Sequence, residues 1–269
     1  MDVAVPAVEL RKVTLRYGSA ARPVVDHISL TVPRGGMLTI LGPNGVGKST
    51  LLKAIVGIVR PEAGDVLIAG APLATLAPTE RARSLALVSQ SETSAFALSV
   101  EQTVLTGRAA SMGMFGRPGA TDREIAARAL TRLGIADLAQ RSLAELSGGQ
   151  RQLVRIARAL AQQAMVLILD EPTAHLDLAN QMQVLRAITQ LRAEGQTVIA
   201  TSHDPAHAFV CGGDALLLGG NGVWQCGPAT TIMDAQSLSQ LYAVSVMLIQ
   251  TPSGPIVLPD YAPLTMVGF

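Results

Sequence analysis

The chain is poor in cysteine: Cys211 and Cys226 are the only two in 269 residues. They stand far apart, with no Cys-x-x-Cys and no clustered histidine, which argues against a disulfide framework and a zinc site and fits a reducing compartment. Charge of one sign is also missing. A net charge of +1 leaves no basic field of the kind that marks nucleic acid as the main partner. Apolar runs such as Val166 to Leu169 and Val246 to Ile249 fall far short of the roughly 18 residues that a spanning helix needs. The N-terminus lacks the charged-then-apolar pattern of a secretory signal. Together these absences predict a protein that is soluble by itself. Aromatics make up only 3% of the residues, so one that lies close to a motif needs a reason to be there. There is no internal repeat. What remains is a globular composition, 49% hydrophobic, enough for one elaborated domain or two small ones.

The stretch that organises the rest runs from Leu41 to Thr50. Gly42 to Ser49 fits G-x-x-x-x-G-K-[ST], preceded by an apolar strand-like run, Met37 to Leu41, and followed by a helix-like run, Ser49 to Val59. Gly42, Gly45 and Gly47 allow positive φ and aim successive N–H groups inward, and the helix N-terminus adds partial positive charge. Such a loop holds phosphates, with Pro43, Asn44, Val46 and Thr50 completing it. Lys48 is placed for the β- and γ-phosphates, and the Ser49 hydroxyl for a Mg²⁺ ion that takes few protein ligands.

Before this loop, Val8 to Tyr17 and Val24 to Val32 are rich in β-branched residues and predict an antiparallel pair. Tyr17, at the end of the first, either stacks on an adenine ring or simply packs; His27 has a structural reading. Gly64 to Gly70 predicts a short strand, Thr79 to Ala86 a helical stretch, and Leu85 to Ser89 a strand ending at Gln90. A neutral amide with both donor and acceptor suits a residue that touches a magnesium-bound water in one state and releases it in another.

From Ser91 to Gln163 the pattern turns helical: Val100 to Arg108, a Gly/Met-rich loop from Ser111 to Ala120, and Asp122 to Leu133 capped by Thr121. The loop residues Met112 to Gly116 suit docking to another protein and gap-filling in a core equally. The insert closes at Leu146-Ser147-Gly148-Gly149-Gln150, ahead of a predicted helix from Arg151 to Gln162. Ser147 is its expected N-cap. This second glycine-rich helix start is either a plain turn or a site for the γ-phosphate of a nucleotide cradled by another copy of the chain.

Met165 to Leu169 is too short for a helix and predicts a buried parallel strand that ends in Asp170-Glu171. Carboxylates at the carboxyl end of such a strand are placed to hold a magnesium shell, Asp170, and to polarise a water in line with the γ-phosphate, Glu171. A helix follows Leu176-Asp177 and stops at Gly195. The strand Thr197 to Thr201 then brings His203 to the same sheet edge, where it is placed to donate to the γ-phosphate. No such case exists for His175 or His207. Ala215 to Leu218 and Val223 to Cys226 form a predicted hairpin signalled by Asn-Gly, Ser237 to Tyr242 a short helix, and Ala243 to Leu258 a further hairpin. Tyr261 onward has no predicted element.

In this order and at these separations, the phosphate loop, Gln90, Leu-Ser-Gly-Gly-Gln, Asp170-Glu171, Leu176-Asp177 and His203 resemble the nucleotide-binding subunit of an ATP-binding cassette transporter, over about Val8 to Met233. The resemblance implies an α/β fold, a P-loop NTPase (RecA-like) core with an antiparallel β subdomain and a helical subdomain insert. The ATP-binding core would be residues 1–90 and 164–234, the helical signature subdomain 91–163 and a C-terminal extension 235–269. It implies ATP and Mg²⁺ as cofactors, Tyr17 on adenine, Gly42 to Thr50 on the phosphates, and Ser49, Gln90 and Asp170 on magnesium. Gln90 would also couple to transport. Ser147, Gly148, Gly149 and Gln150 would address the nucleotide of the opposite subunit, Asp177 a dimer contact, Glu171 would be the general base and His203 the γ-phosphate switch. Val46, where a smaller residue is common, and Ala174-His175, where the family often has Ser-Ala, depart from the pattern. The implied partners are a second copy, an integral-membrane permease and, indirectly, an extracytoplasmic substrate-binding protein. The implied location is peripheral, on the cytoplasmic face of a bacterial inner membrane. Thr106-Gly107-Arg108 and the run Glu171 to Gln181 are similar to importers of metal chelates and oxyanions, namely iron-siderophore, haem, cobalamin and molybdate systems. A soluble cassette ATPase of cofactor or cluster assembly is the alternative.

Overall fold

Strand β7 (Val166–Leu169) is buried at every residue, and its side chains divide between two cores. Val166 and Ile168 join the cluster built on one face of the central sheet, Leu167 and Leu169 the cluster on the other. A continuous apolar run is what a strand covered on both faces requires. The computed structural model describes residues 5–16, 23–90, 98–112, 116–252 and 254–260.

In chain order the elements are β1 (Val8–Leu15), β2 (Val25–Val32), β3 (Met37–Leu41), α1 (Lys48–Ile55), β4 (Ala63–Ile68), β5 (Ala71–Pro72), α2 (Pro78–Ser84) and β6 (Leu85–Val88). Then come α3 (Val100–Leu105), α4 (Ala120–Arg132) and α5 (Gly148–Ala161), followed by β7. The chain continues through α6 (Leu178–Ala193), β8 (Thr197–Ser202), α7 (Ala206–Cys211), β9 (Asp214–Leu218), β10 (Trp224–Pro228), α8 (Ala229–Ile232), α9 (Ala235–Tyr242), β11 (Val246–Thr251) and β12 (Gly254–Pro259).

The central sheet has the order β10-β9-β3-β8-β7-β6, parallel except for the edge strand β10. A second, antiparallel sheet, β2-β1-β4-β5, packs its apolar residues against α1 and the β3 side of the central sheet. The opposite face is covered by α3 to α6, where Ile156 and Ala157 of α5 meet Val184 and Ile188 of α6. A third cluster joins Leu41 and Ala208 to Leu238 of α9 and to Val246, Leu248 and Val257 of the terminal hairpin. The fold is thus the mixed α/β arrangement expected, and β6, β7, β3 and β8 all present their carboxyl ends at one edge.

Several boundaries differ from the expectations above. Helix α1 stops at Ile55 rather than Val59, because Gly57 turns left-handed (φ +80°) and the Ile58 N–H closes on the Lys53 carbonyl at 2.8 Å. Thr121 is inside α4 and does not cap it; Gly119 stands at the N-cap, its N–H held by Asp122 Oδ2 at 3.0 Å. Helix α5 begins at Gly148, three residues before Arg151, so the glycines form its first turn. The expected β9–β10 hairpin is present, its connection running from Gly219 to Val223 with a 3₁₀ turn at Gly220–Gly222, so that the second strand starts at Trp224 rather than Val223. Helices α7 and α8, of six and four residues, carry too little periodicity to be read in advance. Tyr17, part of the Met112 to Gly116 loop and the stretch after Tyr261 lie outside the described residues.

Candidate functional site

The phosphate loop leaves β3 and enters α1 through three left-handed glycines, Gly42 (φ +154°), Gly45 (+80°) and Gly47 (+115°). At Gly42 a Cβ would stand 2.2 Å from the Leu218 carbonyl oxygen, a backbone atom with no room to retreat, so only glycine fits there. Gly47 is the N-cap of α1 and supplies no side-chain acceptor, which leaves the first-turn N–H groups directed at the loop. Lys48 is 5% exposed, and its Nζ donates to the carbonyls of Gly42 (2.8 Å) and Pro43 (3.1 Å). Burial lowers its pKa, an effect that the Glu171 and Asp170 carboxylates oppose. Glu171 Oε1 stands 3.7 Å away.

At the end of β7, Asp170 is buried and its Oδ1 accepts from Ser49 Oγ (3.0 Å) and from Thr201 Oγ1 of β8 (2.8 Å). The same Thr201 oxygen accepts the Glu171 N–H at 2.8 Å, so one threonine fixes both acidic residues. Glu171 adopts φ +47°, a left-handed conformation unusual for a residue with a side chain, which turns its carboxylate out of the strand line and toward the loop. Gln90 Nε2 donates to Glu171 Oε2 at 3.2 Å, and His203 Nδ1 lies 3.9 Å from that same oxygen. Gln90 follows β6 and His203 follows β8, so four strand ends meet at one carboxylate and one ammonium.

Lys48, Ser49, Gln90, Glu171 and His203 line a cleft of about 890 Å³ together with Asn44, Gly45, Gly47, Thr50, Val24, Ala174 and His175, and Asp170 lies buried behind Ser49. His175 is a member that sequence reasoning missed; its left-handed φ of +61° sets the turn that brings it there, and no local pattern announces it. A second missed histidine lies behind the cleft: buried His207 of α7 has Nδ1 2.8 Å from Ser202 Oγ and 3.4 Å from Thr173 Oγ1. It ties the turn carrying His203 to the loop after Glu171. Burial lowers its pKa, with Asp204 working against this and His203 with it.

Ser49 and Asp170 are suited to a hard divalent cation. Neighbouring ligands of an octahedral ion with bonds of about 2.1 Å stand about 3 Å apart, and the two oxygens are separated by 3.0 Å. Among the described residues no group of three or more His, Cys, Asp or Glu gathers as a metal site.

The second glycine-rich helix start does not line this cleft. Ser147 caps α5 as expected: its Oγ accepts the Gln150 N–H (3.2 Å), and Gln150 Oε1 accepts the Ser147 N–H (3.0 Å). Gly149 lies against Asn180, whose Oδ1 would be 2.2 Å from an added Cβ. Asp177 holds Asn180 in turn, accepting its backbone N–H and side-chain Nδ2, both at 2.8 Å. Ser147, Gly148, Gly149, Gln150 and Asp177 therefore gather at a place apart from Lys48 and Glu171.

A family model described as ABC transporter matches residues 25–174. An uncharacterized ABC transporter ATP-binding protein of Haemophilus influenzae is 39% identical over 235 residues, 87% of this chain and 89% of that protein. The iron(3+)-hydroxamate import ATP-binding protein of Bacillus subtilis is 36% identical over 239 residues, 88% of this chain and 89% of that protein. Among solved structures, an ABC transporter assigned to the metal-chelate type, in an inward-facing conformation, superposes with a TM-score of 0.85 at 32% identity, covering 96% of this chain and 99% of its own.

Proposed function

Because the chain belongs to the ABC transporter family as an ATP-binding subunit and is an ATPase, we propose that it powers import of a metal chelate, of the iron-siderophore, haem or cobalamin kind. One observation carries the reading: Lys48, Ser49, Gln90, Glu171 and His203 converge from four strand ends on a single cleft, with buried Asp170 bonded to Ser49 at its wall. In that cleft the loop amides and Lys48 bind the β- and γ-phosphates of ATP. Glu171 accepts a proton from the attacking water, Gln90 keeps the carboxylate aimed, and His203 donates to the γ-phosphate. Ser49 and Asp170 would hold Mg²⁺, with Gln90 beside them; the ion, when bound, offsets charge on the phosphates.

The site of one chain lacks the signature residues, so two copies meet head to tail. Ser147, Gly148, Gly149 and Gln150 of each face the γ-phosphate held by the other, with Asp177 at the contact and Tyr17 on the adenine. Residues 91–163 form the helical subdomain that, with Gln90, transmits closure to an integral-membrane permease. No helix among the described residues is long and apolar enough to cross a membrane, which fits a subunit seated on the cytoplasmic face of such a partner. Cargo is selected by the permease and an extracytoplasmic binding protein, and resemblance to metal-chelate relatives supports a chelate over an oxyanion such as molybdate.

The test is purification of the tagged chain from detergent-solubilised membranes of its host, followed by reconstitution of what accompanies it. Recovery of a multi-spanning permease whose vesicles take up a ferric or cobalt chelate in an ATP-dependent way is expected. An active ATPase recovered only with soluble partners would overturn the transport reading, and uptake of molybdate alone would overturn the cargo.

A further inference from the structure

The family match covers residues 25–174, and helix α9, well beyond it, contacts the turn that carries His203. Helix α9 begins at Asp234, whose side chain accepts the Ser237 N–H at 2.7 Å, and it ends at Tyr242 because Ala243 turns left-handed at φ +54°. The Val246 N–H is then held by Ser239 Oγ at 2.9 Å, which fixes the exit of the chain into β11. Tyr242 is thereby set against the cluster formed by Leu41, Ala208 and Leu238. Leu41 immediately precedes the phosphate loop, and Ala208 belongs to the helix that follows the His203 turn.

The phenol hydroxyl donates to the backbone carbonyl of His203 at 3.1 Å, while the ring packs on the cluster that contains Leu41, the residue before the first glycine of the phosphate loop. One residue of the C-terminal extension thus holds the peptide of the expected γ-phosphate switch by its hydroxyl and packs at the root of the phosphate loop by its ring. The Gly42 carbonyl is also an acceptor for Lys48 Nζ, so displacement of this glycine would be felt at the ammonium. The His203 side chain is 54% exposed, and its only described contact of opposite charge is Glu171, so its direction depends on how its backbone is held.

We propose that Tyr242 is a positioning residue for ATP hydrolysis: its hydroxyl holds the His203 turn while its ring packs at the root of the phosphate loop, which makes the C-terminal helix part of the nucleotide switch. This rests on the role given to His203 above. Residues acting only through packing would stabilise the fold without distinguishing ATP from ADP. A clamp on the γ-phosphate switch distinguishes them, because only ATP carries the group His203 addresses. Burial raises the Tyr242 pKa, so the hydroxyl keeps its proton and remains a donor at neutral pH.

The experiment measures equilibrium affinities for ATP and ADP and the thermal midpoint, in the full chain carrying Glu171→Gln so that ATP persists. Tyr242→Phe keeps the ring and removes the hydroxyl. Loss of one net hydrogen bond predicts ATP affinity about fivefold weaker, with ADP affinity changed less than about twofold and the midpoint lowered by no more than about 4 °C. Leu241→Ala, which loosens the same cluster, is expected to lower the midpoint while leaving the ATP-to-ADP ratio intact. An unchanged ratio in Tyr242→Phe, or an equal change in Leu241→Ala, would overturn the proposal. His203→Ala separates the two claims. If it leaves the ratio unchanged, the switch reading fails; if it lowers the ratio and Tyr242→Phe does not, only the clamp fails.

Discussion

Two helices in this chain start on glycine-rich turns, and they are finished differently. Helix α1 has Gly47 at its N-cap and no side-chain acceptor there, whereas α5 is closed by the reciprocal Ser147–Gln150 box. The first is surrounded by Lys48, Glu171, Gln90 and His203; the second is backed by Asn180 and Asp177 and lies away from that cleft. A helix start without a side-chain cap keeps its amides for an anion, and one with a cap is already stable and can be presented as a surface. The first start is thus open to an anion and the second is closed on itself; under the proposed head-to-tail pairing the second would be the part that one copy lends to the other's site.

The sharpest way to break this contrast is at Glu171. Glu171→Gln is expected to lower steady-state ATP hydrolysis at least about 100-fold while equilibrium ATP binding is retained; unaltered turnover in a phosphate-release assay would remove the base from the first region. Lys48→Ala acts on the same region by a different route. Its loss removes charge-assisted contacts worth about 1.5–3 kcal/mol, and a titration should show ATP binding weaker by roughly 10- to 100-fold. The second region is probed at Gly149, where a methyl group would collide with Asn180 while that residue is held by Asp177. Gly149→Ala should cost about 1–3 kcal/mol in denaturant unfolding, with affinity of the single chain for ATP unchanged, since the cradle is elsewhere. The smallest effect concerns pH. Burial depresses the pKa of His207 in the folded state, so the unfolded chain binds the proton more readily. Its contribution to stability is full above its ordinary pKa of about 6.5 and declines as pH falls below it. His207→Asn should flatten the loss of thermal midpoint between about pH 6.5 and 5.

Much of the central sheet could be read from the chain because β3, β7 and β8 are short apolar runs with chemistry at their carboxyl ends. Position in sequence and position at the sheet edge then coincide. Met37–Leu41 has the expected bounds. Gln90, Asp170, Glu171 and His203 were legible for the same reason. Other features depend on contacts between distant segments. Nothing local says that His175 turns into the cleft, whereas the Gly57 stop of α1 and the Asp122 contact with Gly119 are local, each made within about one helical turn. His207 and Tyr242 act through Ser202 and through the His203 peptide, partners that only the packing of α7 and α9 defines. The capping box at Ser147 was legible as chemistry, but the contact of Gly149 with Asn180 was not, since α5 and α6 are brought together by their apolar faces.

The most direct measurement of the central claim is sedimentation velocity of the Glu171→Gln protein with and without ATP and magnesium. The expected result is a monomer without nucleotide, a dimer with ATP, and loss of that dimer when Ser147→Arg is added while each chain still binds ATP. A chain that binds ATP and stays monomeric at high protein concentration, or a dimer indifferent to Ser147→Arg, would contradict it.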